Sequence, residues 1–135
     1  MTAGYSGTAL DKKLGLARGM RVWFHRMPDS VRDEIDPEAL GLEEQQAATE
    51  GLQAAHVFAT QRDKLAREIA ALRQLLQPAG FIWVSWPKRA SNVASDITED
   101  VVREIALPLG LVDVKVCAVD EVWSGLKLMI RKEQR

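Results

Sequence analysis

One six-residue run constrains the fold of this chain more than any other feature. Phe81-Ile-Trp-Val-Ser-Trp86 is apolar at every position except Ser85, a pattern typical of a strand that is covered on both faces. Such strands occur mostly in parallel sheets that carry helices above and below them. We therefore predict that this run is the central strand of an α/β sheet.

The segments around this run alternate between strand and helix patterns. Further strands are predicted at residues 21–25, 54–59, 111–119 and 122–131, with helices near 31–35 and after Thr60 and Asp96. Thr60 is expected to cap the first of the last two helices, and either Asp96 or Thr98 the second. Whether a further strand forms near residues 42–46 is left open. The order predicts a three-layer, Rossmann-like α/β fold, with a mostly parallel sheet and an antiparallel C-terminal hairpin.

Length and composition narrow the class of protein further. A chain of 135 residues has room for one core, so we expect a partly flexible N-terminal segment at 1–18 and one domain at 19–135. The formal net charge is -1, which disfavours a nucleic-acid partner. No apolar run approaches a membrane span, and Cys117 is the only cysteine, which excludes an internal disulfide. We expect a cytoplasmic protein.

The second half of the chain resembles a known fold. A helix, the turn Leu76-Gln-Pro-Ala-Gly80, an apolar strand, a second helix, Gly110-Leu111 and a hairpin follow one another. This order is similar to the C-terminal half of class I S-adenosylmethionine methyltransferases, in which a leucine-x-proline-glycine-glycine turn precedes the fifth strand. The resemblance implies a methyltransferase-like sheet.

A second resemblance spans nearly the whole chain. The sequence is similar to a family of short, uncharacterised proteins, mostly from actinobacteria, that is classed as a domain of unknown function. The segments that carry it are Ala3-Gly-Tyr-Ser-Gly7, Gly19-Met-Arg-Val22, Trp83-Val-Ser-Trp-Pro-Lys88, Asp96-Ile-Thr-Glu-Asp-Val-Val-Arg103, Gly110-Leu-Val-Asp-Val-Lys-Val-Cys117 and Trp123-Ser-Gly-Leu-Lys127. This family implies a fold but no assigned activity.

The chain departs from working methyltransferases after the first strand. The cofactor-binding fold has glycines there, which allow a tight turn and a close approach to the ligand. This sequence has His25-Arg-Met-Pro-Asp29 instead, and Glu43 or Glu44 is at most an imitation of the acidic ribose contact. We therefore expect no cofactor and a non-catalytic domain that binds a small ligand or a partner.

Candidate ligand-binding residues follow from where the parallel strands end. Ligands of open parallel sheets lie beyond the carboxyl ends of the strands, where the loop after residue 86 and the hairpin turn should meet. They offer aromatic surface, cations and carboxylates, which suit a small anionic or aromatic ligand. The residues are Trp86, Lys88, Arg89, Asp96, Asp120, Trp123 and Ser124.

Other reactive side chains have simpler interpretations. His56 lies in an apolar strand and is expected to be a hydrogen-bonded core histidine, whereas His25 at a strand end is the better acid/base candidate. Two histidines without a third ligand predict no metal site. Cys117 is expected to be inert, and Asp113 and Lys115, two apart on a strand, to form an exposed salt bridge.

Two alternatives to the binding domain stay open on the sequence alone. One is a small enzyme acting on an anionic substrate, with Lys88 supplying charge and Asp96 or His25 transferring a proton. The other is a homodimeric structural or interaction protein that associates through an uncovered sheet edge or a helix face.

Overall fold

Six strands form one sheet in the computed structural model, which describes residues 8–135. They are β1 (Arg21–His25), β2 (Glu43–Glu44), β3 (Leu52–Phe58), β4 (Leu76–Pro87), β5 (Leu111–Ala118) and β6 (Trp123–Ile130). Their spatial order is β2-β1-β3-β4-β6-β5. The first four are parallel neighbours, and β6 lies antiparallel between β4 and β5. The predicted mostly parallel sheet with an antiparallel hairpin is confirmed.

Helices cover both faces of this sheet. They are α1 (Leu10–Lys13), α2 (Asp29–Ile35), α3 (Pro37–Leu40), α4 (Arg62–Leu75) and α5 (Glu99–Ala106). Residues of α4 and α5 pack into one apolar cluster, and those of α1 and α2 pack into a second. The chain therefore has three layers, and the connections after β1 and β3 run over opposite faces.

The central strand is β4, as its sequence predicts. Its residues from Phe81 to Pro87 are all buried, and Ile82 and Trp83 belong to the clusters on opposite faces. The Trp83 indole Nε1 donates a hydrogen bond to the Leu14 carbonyl oxygen, 2.8 Å away. A Cβ at Gly125 on β6 would lie 3.2 Å from the Trp83 ring, so glycine allows this close packing.

The first described residues of the chain contribute side chains to the core. Leu10, Leu14 and Leu16 are buried in the cluster that contains α2. The first seven residues, which belong to the predicted partly flexible segment at 1–18 and include the Ala3–Gly7 motif, lie outside the described part of the chain. A domain boundary at residue 18 stays a prediction.

Two sequence-based expectations about local structure are wrong. The position before α4 is Gln61, not Thr60, and no side chain within that segment caps the helix. A β-bulge between Asp113 and Lys115 also turns these residues to different faces of β5. Asp113 accepts a hydrogen bond from Arg103 on α5 (3.1 Å), whereas the Lys115 ammonium donates to the Lys13 carbonyl.

The structure also shows whether a strand forms near residues 42–46 and how exposed the hairpin is. A two-residue β2 pairs with β1, so a short strand does form within residues 42–46. On the edge strand β5, Val114 and Val116 are exposed, in contrast to the buried β4. Within residues 8–135, no helix combines the length and the apolar character needed to span a membrane.

Candidate functional site

The carboxyl ends of β1, β3 and β4 lie at one edge of the sheet, called here the carboxyl edge. Because β5 runs parallel to β4, the hairpin turn between β5 and β6 reaches the same edge. Two clefts open there, one on each side of the β3–α4 loop.

The first cleft, called here the switch-point crevice, lies between the ends of β1 and β3. The chain leaves these two neighbouring strands over opposite faces, and ligands of open α/β sheets bind at such a point. The cavity has a volume of about 80 Å³ and is lined by Arg26, Thr60, Gln61 and Lys64.

The Arg26 side chain lines this crevice, and each of its three nitrogens donates a hydrogen bond. Its Nε donates to the Phe58 carbonyl oxygen (2.8 Å), and its Nη1 and Nη2 donate to the two carboxylate oxygens of Glu68 (2.8 and 2.6 Å). The backbone of Arg26 has φ +57°, a left-handed conformation that usually favours glycine. The tight turn after β1 therefore forms without glycine.

His25 completes a cluster on the same carboxylate. Its Nε2 lies 2.9 Å from Glu68 Oε2, and its ring stacks on Trp23 with the centroids 4.7 Å apart. Its Nε2 also lies 2.8 Å from Arg26 Nη1, so this one ring nitrogen contacts both members of the ion pair. His25 is thus a third member of the Arg26–Glu68 cluster.

Glu68 is the negative centre of the cluster beside the crevice. Burial by itself raises the pKa of Glu68, but the hydrogen bonds from Arg26 and the nearby charges of Arg26 and His25 outweigh burial and lower it below the ordinary value. The carboxylate is therefore ionised at neutral pH, with its charge balanced by Arg26.

The second cleft, called here the rim cleft, has a volume of about 340 Å³. Its lining is mostly apolar or uncharged and consists of Trp86, Pro87, Arg89, Val93, Ser95, Ile97 and Thr98. Trp86 and Ile97 are buried in its floor, while Val93 is 47% exposed. Arg89 is the one charged lining residue, so the cleft suits a ligand with an apolar body and an anionic group.

Asp96 connects the two clefts rather than capping the helix that follows it. Its Oδ1 accepts a hydrogen bond from the Arg62 N–H (2.7 Å), and its own N–H donates to the Thr60 carbonyl (3.2 Å). Asp96 therefore caps α4 from a distant loop. Thr98 caps α5 by accepting from the Val101 N–H.

The predicted hairpin residues are near the same edge but are used internally. The Lys88 ammonium donates to the Asp120 carbonyl oxygen (2.7 Å), and Asp120 Oδ1 accepts from the Val122 and Trp123 N–H groups. Trp123 packs edge-on against Phe58, and Ser124 lies opposite Trp86 in the sheet. Of the seven predicted residues, only Trp86 and Arg89 line the rim cleft.

The acidic residues after β2 have different surroundings. Both carboxylate oxygens of Glu44 accept from Arg32 on α2, at 2.8 and 2.7 Å, and Glu43 is exposed. Glu44 also borders a third, mostly charged cavity of about 370 Å³ on the outer side of α2 and α3. A carboxylate does therefore lie at the end of β2, next to the strand that carries Arg26.

The remaining reactive side chains are structural. His56 is buried and its Nε2 lies 2.7 Å from Ser85 Oγ, as expected of a core histidine. Burial lowers its pKa to about 3, so the ring is neutral. Burial also raises the pKa of the Cys117 thiol, although Lys13 and Lys115 lower it, which keeps the unreactive thiol form at neutral pH.

Sequence reasoning missed Glu68 and the side-chain role of Arg26. Glu68 is one of several charged residues on the exposed side of α4. No sequence pattern distinguishes it from other carboxylates, such as Asp63 on α4 or Glu104 on α5. Arg26 did carry a signal, because it stands directly after the first strand, where the cofactor-binding fold has glycines.

Comparison with known proteins gives the fold. No family model matches the chain, and no curated protein matches its sequence. Magnesium protoporphyrin IX methyltransferase from Synechocystis PCC 6803 with bound SAM is similar over 90% of this chain and 74% of its own, with 9% identity and a TM-score of 0.58. A TehB-like SAM-dependent methyltransferase from Corynebacterium glutamicum ATCC 13032 is similar over 96% and 91%, with 9% identity and a TM-score of 0.57.

A third solved structure supports the same fold. Aeropyrum pernix fibrillarin in complex with natively bound S-adenosyl-L-methionine is similar over 90% of this chain and 73% of its own, with 12% identity and a TM-score of 0.54. The chain therefore has the methyltransferase-like Rossmann fold that its second half predicts.

These comparisons correct the functional expectation drawn from the sequence. The prediction of a non-catalytic binding domain is wrong, because the similar structures include SAM-dependent methyltransferases, and two of the three described above hold the cofactor. One part of its premise also fails, because Arg26 makes the tight turn without glycine, while the Arg26 side chain still lines the space that a glycine would leave open.

Proposed function

We propose that this chain is a methyltransferase that binds S-adenosylmethionine in the switch-point crevice and methylates a small acceptor in the rim cleft. The observation that carries the proposal is the sheet itself, in which β6 lies antiparallel between β4 and β5 and the crevice lies at the switch point. Solved structures with this fold hold the same cofactor.

The backbone turn and the hydrogen-bond acceptors at the crevice both fit the cofactor. The left-handed turn at Arg26 brings the chain sharply away from β1. Glu68 and the Phe58 carbonyl are acceptors for an ammonium group, and Glu44 is an acceptor for a ribose hydroxyl at the end of β2. The fit requires the Arg26 side chain to move, because about 80 Å³ is well below the 300 Å³ or more of typical ligand sites.

The chain's own residues have separable roles in this proposal. When bound, the cofactor supplies an electrophilic methyl group on its sulfonium. Trp86 and Ile97 hold the apolar body of the acceptor and exclude water, and Arg89 attracts its anionic group. Glu68 and His25 lie beside the crevice, where the Glu68 carboxylate is the acceptor for the ammonium group of the cofactor.

Isothermal titration of the full chain with S-adenosylmethionine and S-adenosylhomocysteine tests the proposal. We expect binding in the range of about 1 µM to 1 mM that enzymes show for their substrates. Glu68→Gln should weaken it, whereas Glu104→Gln, which removes a carboxylate from a surface ion pair with Arg62, should not. Absence of binding to either ligand by the wild-type chain would overturn the proposal.

The finer predictions from the sequence stay proposals beside this one. The motif that includes Trp83–Lys88 supports membership of the family of short, mostly actinobacterial proteins. A cytoplasmic location, a homodimer and a ligand role for the rest of the predicted rim residues are proposals of the same kind.

A further inference from the structure

We propose that the switch-point crevice is a subsite for a cationic group of the ligand, and that Arg26 occupies it as a built-in competitor. The identity of the ligand as S-adenosylmethionine rests on the proposed function, whereas the cation subsite itself does not.

The first support is the chemistry of the acceptors. The guanidinium of Arg26 is held by one backbone carbonyl, of Phe58, and by both oxygens of Glu68, at 2.6–2.8 Å. These three oxygens only accept hydrogen bonds, and one group is ionised. The set therefore selects a positively charged donor with several N–H groups, such as an alkylammonium or a guanidinium.

The second support is the cost of leaving this set without a cation. The Glu68 side chain is only 21% exposed, and a partly buried carboxylate without a partner is unfavourable. His25 also contacts it, but Arg26 is the permanently charged group that balances it. Arg26 therefore departs only when another cation takes its place, which makes binding an exchange.

The third support is that the Arg26 side chain has an open path out of the crevice. Its side chain is 40% exposed, so the guanidinium can rotate into solvent without crossing the core. The backbone at φ +57° is unfavourable for a residue with a Cβ, so the position does not require arginine for its conformation. Lys64 also lines the crevice, and its charge further disfavours a second cation while Arg26 is in place.

The ligand that fits this exchange carries a terminal ammonium on a flexible chain. The amino-acid end of S-adenosylmethionine has this chemistry, and so do simple alkylammonium and alkylguanidinium ions. If Arg26 fills the subsite nine-tenths of the time or more, the apparent affinity of the ligand is reduced about tenfold or more.

The test removes the competitor without disturbing the turn. Arg26→Gly suits a positive φ, and we expect it to bind S-adenosylmethionine at least about tenfold more tightly than the wild type in isothermal titration. Arg73→Ala is the matched control, because Arg73 also donates to a backbone carbonyl, that of Leu109, but lies at the far end of α4. It should leave the affinity unchanged.

A second measurement tests the cation subsite without the cofactor. Methylguanidinium at millimolar concentration should raise the melting temperature of Arg26→Gly more than that of the wild type, compared with sodium at equal ionic strength. Adding Glu68→Gln to Arg26→Gly should abolish this rescue.

The outcomes separate the two proposals. Rescue by methylguanidinium without any binding of S-adenosylmethionine would support the cation subsite and reject the proposed cofactor. Equal binding of S-adenosylmethionine by the wild type and Arg26→Gly, without rescue, would overturn the competitor role of Arg26 and leave the proposed function standing. Failure of both measurements would reject both proposals.

Discussion

The two clefts at the carboxyl edge satisfy their polar groups in opposite ways. In the switch-point crevice, the charges of Arg26 and Glu68 already bond each other. The rim cleft has an apolar floor of Trp86 and Ile97, and Arg89 is the one charge in its lining. Two neighbouring sites on one sheet should therefore select ligands by different properties, charge in the crevice and shape in the rim cleft.

The difference teaches what limits binding at each place. A ligand in the crevice must replace an existing ion pair, so its gain is the difference between two sets of charged hydrogen bonds. A ligand in the rim cleft displaces water from apolar surface and gains directly from burial. Affinity should therefore depend on charge and pH in the crevice and on shape in the rim cleft.

The largest expected effect is a loss of folding stability at low pH, and it arises at His56, behind the crevice. His56 stacks on Phe58, whose carbonyl holds Arg26, and burial lowers the pKa of His56 to about 3. In the unfolded chain the pKa is near 6.5, so the unfolded state takes up the proton first as the pH falls. The free energy of unfolding should therefore drop by about 1.4 kcal/mol per pH unit between pH 6.5 and the folded pKa. Urea unfolding followed by tryptophan fluorescence from pH 7.5 to 4.5 measures this.

Two variants assign the acid effect to His56. His56→Phe should flatten the dependence on pH, at the cost of some stability at pH 7, while Ser85→Ala removes the hydrogen bond and keeps the titrating ring, so the slope should persist. The pKa of Glu68 is lowered in the folded chain, so the stabilisation by this carboxylate is present at higher pH and is lost on further acidification. Glu68 and His56 therefore both make the folded chain less stable as the pH falls. The lining of the rim cleft contains no histidine and no carboxylate. An equally steep slope in His56→Phe would contradict the assignment.

The next effect concerns the floor of the rim cleft. Trp86 is 7% exposed and belongs to the cluster that contains α4 and α5. Trp86→Ala should lower the free energy of unfolding by about 3 kcal/mol or more, because it removes a large buried ring and leaves a cavity. Urea unfolding at pH 7.5 gives the value.

Trp123→Ala is the matched control for this change. Trp123 is half-buried and packs edge-on against Phe58, so its loss should cost less than that of Trp86. Trp86→Ala should also weaken binding of aromatic acceptors while leaving the affinity for S-adenosylmethionine nearly intact. A loss of stability below about 1 kcal/mol would show that the floor of the rim cleft is not part of the packed core.

The sheet could be predicted from the sequence because its signals are local. Alternation and continuous apolar runs placed β1 at residues 21–25, as observed, and identified β4 as the central strand. Burial on two faces leaves a pattern within six residues, and this pattern does not depend on distant parts of the chain.

The candidate site was less predictable because its contacts are long-range. Arg26 and Glu68 are 42 positions apart, and Arg62 and Asp96 are 34 apart. Any exposed carboxylate is an equally good partner until the fold brings one of them near. The bulge at Asp113–Lys115 had the same character, since one extra residue in a strand reverses which face a side chain occupies.

The smallest effect tests whether the two clefts are joined by Asp96. Asp96→Ala removes the acceptor for the Arg62 N–H at the start of α4 and should cost about 1 kcal/mol, as other lost helix caps do. Thr98→Ala removes the cap of α5 at a similar cost, so the two variants are matched in stability. The Arg62 N–H directly follows Thr60 and Gln61, which line the crevice, whereas Thr98 lines only the rim cleft. Asp96→Ala alone should therefore weaken binding of S-adenosylmethionine in titration. If both variants weaken it equally, the change reflects general loosening of the edge, and the clefts are not coupled through Asp96.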